Sequence, residues 1–544
     1  MPEAVLISIW LIGAWLRILR QSRFYQIEEY MSRRYLRWLL RDWRRALPLR
    51  PLAAWMAGVA FVFARGDATG SHLPFLVALV AAAIAAVPPA TTEEKSPLVV
   101  TQRLKRLLFG AGLASALGAG AAVWLTSNAG YANAAAGVGL ASSLGFALFL
   151  LAPLWLVAGN ALMGPAEAAL RRRYLKQAAA TLDKLQPKII GITGSYGKTT
   201  TKHFLRDIMS ARYATYATPK SYNTLMGVSL AINRDLADDY RSEYFISEMG
   251  AYVEGEIERI CQLTPPDIAI VTEVGPQHLE RFGSLENIMR AKYELVRNLP
   301  ADGVAVFNWD NPYIREMIAQ GYPATRLSVS RQASLEDARG QDITWVASDV
   351  SESLSGLAFR ACHVASGEQA LIETAVVGEH NVTNLLLCIA VAFHEGITLR
   401  EIAGRIRGLR PAESRLAAET TASGITIIND AYSANPAGVV SALKVLRLHV
   451  TGKRLLITPG MVELGALQDS ENHKLGLLAA ESATDIILIG RGQTASILAA
   501  IQSTNFDQSR LHTLESLDDA VNWYRQNLRA GDTVLFLNDL PDTY

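Results

Sequence analysis

The segment Gly191-Ile-Thr-Gly-Ser-Tyr-Gly-Lys-Thr-Thr200 constrains this chain more than any other. It follows the apolar, strand-like run Lys188-Ile-Ile190 and opens the helix-like run Thr201-Lys-His-Phe-Leu-Arg-Asp-Ile208. A strand that feeds a helix through a tight glycine turn points several backbone N–H groups at one spot, which suits phosphate oxygens. From such a turn Lys198 reaches the outer phosphates, and the Thr199 hydroxyl can ligate Mg2+. The usual spacing G-x-x-x-x-G-K-[ST] fails, because Ile192 stands where the first glycine belongs. The pattern that holds is Gly194-x-x-Gly197-Lys198-Thr199. In its strand–helix setting it reads as a nucleotide site, with Gly194, Ser195, Tyr196, Gly197, Lys198, Thr199 and Thr200 as the phosphate contacts.

A net charge of +1 over 544 residues argues against a nucleic-acid partner. Cys261, Cys362 and Cys388 are scattered with no C-x-x-C, which excludes a disulfide framework and a cysteine zinc ribbon and fits a reducing compartment. Composition splits the chain sharply. As far as Gly164 it is apolar, with its charges gathered between apolar runs; beyond Arg171 it reads as an ordinary α/β protein. Five apolar stretches stand out at 5–19, 52–64, 73–87, 107–125 and 138–158. The last two approach the roughly 20 residues that a span needs; the first three are short, and the second and third also suit a buried or re-entrant hairpin. Arg20, Arg23, Arg33, Arg34, Arg37, Arg41, Arg44, Arg45 and Arg50 fill the first connection, and Lys95, Arg103, Lys105 and Arg106 the third. Arg171, Arg172, Arg173 and Lys176 follow the fifth stretch, whereas 65–72 and 127–134 carry little charge. This alternation predicts five spans in a cell membrane, with the N-terminus outside and the C-terminal part in the cytoplasm. The stretch 33–45, with Tyr35, Leu36, Trp38, Leu39, Leu40 and Trp43 among its arginines, has two readings: an amphipathic helix on the inner leaflet, or a stop-transfer cluster.

Beyond the phosphate loop, strand-like runs at 244–247, 268–271, 304–307, 425–428, 454–458, 486–489 and 533–536 alternate with helical patterns such as 285–299 and 384–394. That alternation predicts parallel α/β sheets, with a turn at Gly408-Leu-Arg-Pro411 dividing two units. In α/β proteins ligands gather at strand ends. Glu248 stands at one and supplies a carboxylate of the kind Mg2+ takes beside phosphate oxygens. His278, beyond the 268–271 run, suits a structural hydrogen bond as readily as a ligand role. Lys292, beside Arg290 in a helical pattern, reads from composition alone as a solvated residue.

Taken in order, the blocks resemble the Mur ligases. They are Gly191–Thr200, Ser221-Tyr-Asn-Thr224, Glu248-Met-Gly-Ala251, His278-Leu-Glu-Arg-Phe-Gly-Ser284, Ala291-Lys-Tyr-Glu-Leu295, Gly378-Glu-His-Asn-Val-Thr-Asn384 and Asp430-Ala-Tyr-Ser-Ala-Asn-Pro436. The members most similar are those that add D-alanyl-D-alanine to a UDP-linked muramoyl tripeptide. The resemblance implies an ATP- and Mg2+-dependent ligase that phosphorylates a carboxylate to an acyl phosphate and lets an amine displace the phosphate. It implies Lys198 and Thr199 on the ATP phosphates, Thr199 and Glu248 at a first Mg2+, and His278 at a second. It further implies Lys292 as a carbamylated lysine beside the metals, Asn384 at the adenine, and Arg415 and Asp430 closing over phosphate and ribose.

Two features depart from the family pattern. An apolar region stands where the family has its UDP-binding domain, and 537–544 replaces the family's Lys-Gly-Ser segment. The expected organisation is a transmembrane helical region with an arginine-rich cytoplasmic loop over 1–165 and a linker over 166–186. A P-loop ATPase-type central domain over 187–408 and a Rossmann-like C-terminal domain over 409–544 follow. The expected partners are the membrane, a muropeptide-like carboxylate, an amino acid or dipeptide amine, and other envelope-assembly proteins. A ligase for a poly-amino-acid envelope polymer and a nucleotide-binding membrane scaffold without ligase activity are the competing readings. The intact Glu248, His278 and Lys292 count against the scaffold, which needs no metal ligands.

Overall fold

The computed structural model of the chain describes residues 2–537, save 29, 42–46, 66–71, 88–97, 132, 411–415, 432–433 and 491. Its contacts divide it into two compact units that part at Arg172.

The first unit is helical: α1 (Pro2–Ile27), α2 (Ser32–Arg41), α3 (Leu49–Arg65), α4 (Leu73–Ala86), α5 (Gln102–Asn128), α6 (Ala134–Leu150) and the start of α7 (Ala152–Leu185). Leu6, Trp10 and Ala14 of α1 pack with Ala78 and Ala82 of α4 and with Phe146 and Phe149 of α6. Small residues bring backbones together: a Cβ on Gly159 of α7 would lie 2.4 Å from the Ala111 nitrogen of α5. Arg17 donates to the Phe149 carbonyl at 3.2 Å, beside the break where α6 and α7 bend by 61°, and so satisfies a carbonyl near the end of α6.

By length and composition, α1 and α5 can each cross a membrane, and α6 with α7 passes as one bent pair. The expected second and third spans, α3 and α4, are 17 and 14 residues long and pack on each other. They are therefore shorter than the roughly 20 residues of a full span, and the count by length among the described residues is two or three rather than five. The first stretch belongs to a longer element, because its helix runs on through the arginines to Ile27. Of the stretch 33–45, residues 42–45 lie outside the described residues. Tyr35 and Leu39 are buried, Tyr35 packs with Ile18 and Tyr25, and Trp38 stacks on Phe24, so the aromatic side of α2 faces protein.

The second unit carries two sheets. In the first, β1 (Lys188–Thr193), β2 (Thr215–Ala217), β3 (Tyr244–Glu248), β4 (Ile268–Val271), β5 (Val304–Asn308), β6 (Thr325–Ser330), β7 (Trp345–Ser353), β8 (Gly356–His363) and β9 (Gln369–Thr374) run in the order β2-β3-β1-β4-β5-β6-β7-β8-β9. Strands β1 to β7 pair in parallel, and β7 to β9 form an antiparallel meander. Period-two alternation sorts each strand onto two cores. Ile190, Ile192 and Ile246 face the helices Lys198–Met209 and His380–His394, while Ile189 and Phe245 face Leu285–Arg297 and residues Ala178 and Leu182 of α7. The order reverses at β1, with β3 on one side and β4 on the other, and such switch points are where open α/β sheets bind ligands.

The second sheet has the order β10-β11-β15-β12-β13-β14, from β10 (Ala417–Thr420), β11 (Thr426–Asp430), β12 (Arg454–Thr458), β13 (Asp485–Ile489), β14 (Leu511–Leu514) and β15 (Thr533–Leu537). Only β10 runs antiparallel, which gives a Rossmann-like layer. The stretch 166–186, expected as a linker, is helical to Leu185, so Gln186 and Pro187 alone separate α7 from β1. All three cysteines are buried thiols.

Candidate active site

β1 delivers the chain into the loop 194–197, and Gly197, at φ 80°, caps the Lys198–Met209 helix. Both glycines are required by contact. A Cβ on Gly194 would lie 2.0 Å from the Thr272 hydroxyl, and one on Gly197 would lie 2.6 Å from the Asn384 side-chain oxygen. Ser195 locks the loop from behind: its N–H donates to the Glu273 carbonyl, and its hydroxyl bonds the backbone of Gly275. The Tyr196 hydroxyl is buried, and burial pushes the phenol well above its ordinary value. Lys198 folds back onto the loop, donating to the Gly194 and Ser195 carbonyls at 2.5 and 3.2 Å, and must release them to reach a phosphate.

Glu248, the last residue of β3, is 1 % exposed and is the hub of this edge. Thr199 donates to both its oxygens at 3.1 Å, Lys202 to one at 2.8 Å and Asn223 to the other at 3.2 Å. Burial alone favours the neutral acid, but the Lys202 and Lys198 charges and the donated hydrogen bonds outweigh it, so the carboxyl is held below its ordinary pKa. Among the described residues no three His, Cys, Asp or Glu form a protein-only metal cage. Mg2+ does not need one, since it takes one or two carboxylates and completes its shell with phosphate oxygens and water. An ionised carboxylate joined to the phosphate-loop threonine fits that requirement.

Lys292, in the Leu285–Arg297 helix, is 3 % exposed and lies over the Phe282 ring, 5.7 Å from its centre. Burial, then the charge of Lys198, lowers its pKa to about 7. The solvated-face reading of Lys292 is therefore wrong, because Ile288, Leu295 and Val296 turn this side of the helix into the core. His278 takes a left-handed backbone, φ 56°, and stands edge-on to Tyr252 at 4.6 Å. Burial lowers its pKa, the Glu463 contact opposes this, and the charges of Lys198 and Lys292 add to the lowering. Lys198 thus acts electrostatically on Glu248, His278 and Lys292, which makes one charged centre of four sequence blocks.

Comparison with known proteins agrees with this geometry. The Mur ligase middle domain matches residues 192–392, and the Mur ligase glutamate ligase domain matches 414–538. The chain belongs to the Mur ligases. It is 29 % identical over 360 residues to the UDP-N-acetylmuramoyl-tripeptide–D-alanyl-D-alanine ligase of Bacillus subtilis (strain 168), covering 66 % of this chain and 74 % of that one. With the ligase of the same name from Escherichia coli (strain K12) it shares 28 % over 331 residues, covering 61 % and 70 %. The crystal structure of MurF from Acinetobacter baumannii superposes with a TM-score of 0.58 at 25 % identity, covering 69 % of this chain and 78 % of that one. Mur ligases are ATP-dependent enzymes that form amide bonds in peptidoglycan synthesis, and this Mur ligase is an ATP-dependent acid–amino-acid ligase.

The remaining expected residues divide. Asn384 is buried beside the loop, accepting from Thr201 at 3.2 Å and donating to Asn381 at 3.0 Å, so its amide braces the phosphate loop. Asp430 ends β11 and accepts the Leu416 N–H at 3.1 Å. Arg415 lies outside the described residues, as does 538–544 of the divergent end. Thr200, in the first turn of the helix, is partly buried. Sequence reasoning missed Lys202, Asn223, Glu273 and Glu463. Lys202 follows the loop at i+4 from Lys198, a spacing that points both lysines to one helix face and could have revealed it. Glu273 accepts from Asn308 and Asn311, and burial raises its pKa to about 7.

Proposed function

We propose that this Mur ligase is membrane-anchored and joins an amine of the D-alanyl-D-alanine type to a muropeptide-like carboxylate. The relatives' shared activity supports the amine. The observation that carries the chemistry is Glu248, buried yet ionised, bonded at once to Thr199 of the phosphate loop and to Lys202.

In the proposed reaction a carboxylate oxygen of the acceptor attacks the γ-phosphorus of ATP, and ADP leaves. The amine then attacks the acyl carbon, the C–N bond forms, phosphate departs, and the amine gives up a proton. Positive charge between the facing oxyanions is what Mg2+ supplies when bound. Backbone N–H groups of 196–199 orient the phosphates while Ser195 braces the loop, Lys198 neutralises the outer ones, and Thr199 and Glu248 hold oxygen donors in place. Lys292, neutral above about pH 7, has the lone pair needed to add CO2, forming an N–C bond with loss of a proton and leaving a carbamate anion in place of the neutral amine.

The acceptor we favour is lipid-linked. A soluble UDP-linked substrate is positioned by binding energy remote from the reacting carbon, whereas anchoring concentrates a lipid-linked one at the surface. Three crossings, with α3 and α4 as a hairpin that enters and leaves on one side, keep the same parity as five. That supports the orientation expected from the arginines: catalytic unit in the cytoplasm, residues 127–134 outside.

The test uses full-length protein in detergent with ATP, Mg2+, D-alanyl-D-alanine and matched lipid-linked and UDP-linked acceptors, read by phosphate release and product mass. Ligation to the lipid-linked acceptor is expected, and Lys198→Ala should lower it at least about 100-fold. Phosphate release that Lys198→Ala leaves intact would sink the site assignment; ligation to the UDP-linked acceptor alone would sink the lipid-linked preference.

A further inference from the structure

The ring of His278 is gripped from the other sheet of the catalytic unit. Beyond β12 the chain turns through Gly460 at φ 86°, Glu463 at φ 62° and Gly465 at φ 56°. Asn472, itself buried, clamps this turn: its oxygen accepts the Met461 N–H at 2.8 Å, and its nitrogen donates to the Met461 carbonyl at 2.9 Å. Met461 and Leu464 sink into the core below. The turn is therefore a fixed mount, and Glu463 projects from it.

One oxygen of Glu463 meets His278 Nδ1 at 2.5 Å, and the other lies 3.9 Å from the Arg281 guanidinium. Arg281 in turn covers the Tyr252 ring at 4.4 Å, and Tyr252 holds the imidazole edge-on. Both His278 and Glu463 sit in the left-handed backbone region that non-glycine residues seldom adopt, so each is placed by its surroundings rather than by local preference. A carboxylate accepts hydrogen bonds and cannot donate them, so Nδ1 carries the proton and donates it to Glu463. Nε2 is left with a free lone pair. A carboxylate behind the imidazole is the arrangement that fixes tautomer and orientation in metal-binding histidines.

We propose that Glu463 is a positioning residue: it holds His278 with Nε2 ready to donate to a divalent cation, and so lets the second sheet complete the ion site built on the first. This rests on the ligase reading and adds to it a dependence of the ion site on the C-terminal half of the unit. A purely structural contact would tie the two halves together without affecting what His278 binds.

The experiment takes full-length protein with 15N-labelled histidine, in detergent, with Mn2+ and a non-hydrolysable ATP analogue. Electron spin-echo modulation reads the coupling of Mn2+ to imidazole nitrogen. Wild type should show the coupling and His278→Ala should not. Glu463→Ala should lose most of it and lower kcat about 10- to 100-fold, with the KM for ATP changed less than about twofold. Glu463→Gln, whose amide oxygen still accepts from Nδ1, should recover much of both. Full coupling and full kcat in Glu463→Ala overturn the proposal. So does a wild type that ligates normally yet shows no histidine coupling, an outcome that leaves the ligase reading standing. Absence of ligation with every acceptor would instead fail that reading.

Discussion

Two buried lysines that differ in their company, Lys202 and Lys292, show how this site divides its labour. Lys202 is fully buried and bonded to Glu248 at 2.8 Å. Lys292 is nearly as buried, with no carboxylate at ion-pair distance among the described residues, and it faces an aromatic ring. Burial acts on both alike. The Lys202 and Lys198 charges keep Glu248 ionised, whereas burial and then the charge of Lys198 lower Lys292 to about 7. The same ammonium serves as a fixed counter-charge in one pocket and as a near-neutral amine in the other.

Four outcomes would sharpen or break that contrast. The largest effect is expected at the amine: Lys292→Ala should cut ligation by about 100-fold or more, with a short-chain carboxylate restoring part of it. Near wild-type turnover in that variant would make Lys292 a packing residue. Next, Lys202→Ala strands the buried Glu248 carboxylate, so it should cost about 3–5 kcal/mol of stability in denaturant unfolding. A loss below about 1 kcal/mol would mean that water or Asn223 replaces the ammonium. Third, Lys202→Met combined with Glu248→Leu removes both charges, and its stability should recover most of the loss although activity does not return.

The smallest effect is a pH trend. The unfolded chain keeps Lys292 protonated up to about 10.5, and the folded chain only to about 7. Between those values the unfolded state binds more protons, so this residue's contribution to stability rises with pH across the window. Its burial cost is fully expressed below pH 7. In CO2-free buffer, Lys292→Met should exceed wild type in melting temperature most at pH 6 and least near pH 10. An advantage that is constant with pH would show that the difference comes from packing alone.

Much of this site is legible in sequence, because a phosphate loop is a local object. Gly194, Gly197, Lys198 and Thr199 lie within one turn, and Glu248 stands where a strand run stops. The rest depends on contacts that spacing does not encode. Glu463 touches His278 across 185 residues. Lys292 looks solvated beside Arg290 because the side of the helix that faces the core is set by the sheet beneath it. The meander β7 to β9 is hidden in the sequence as well. From Ser348 to Ser353 β7 alternates partly buried and exposed positions, and its polar residues mask a strand that a search for continuous apolar runs passes over. In the apolar region, Arg20 ends the first hydropathic stretch but not its helix, which runs to Ile27, and Arg17 inside that stretch is buried because it finds a carbonyl at the α6–α7 break.

The burial of all three thiols has a practical consequence. Burial pushes Cys261 up to about 12 and Cys388 well above its ordinary value, and Cys362 is enclosed at the end of β8. Alkylating reagents attack thiolates that they can reach, and all three native thiols are enclosed. A single cysteine introduced at Ser127 would then be the one reactive handle on an otherwise unmodified ligase. Whether an impermeant maleimide labels it in intact cells reports the sidedness of the 127–134 connection without first stripping the protein of its own sulfur.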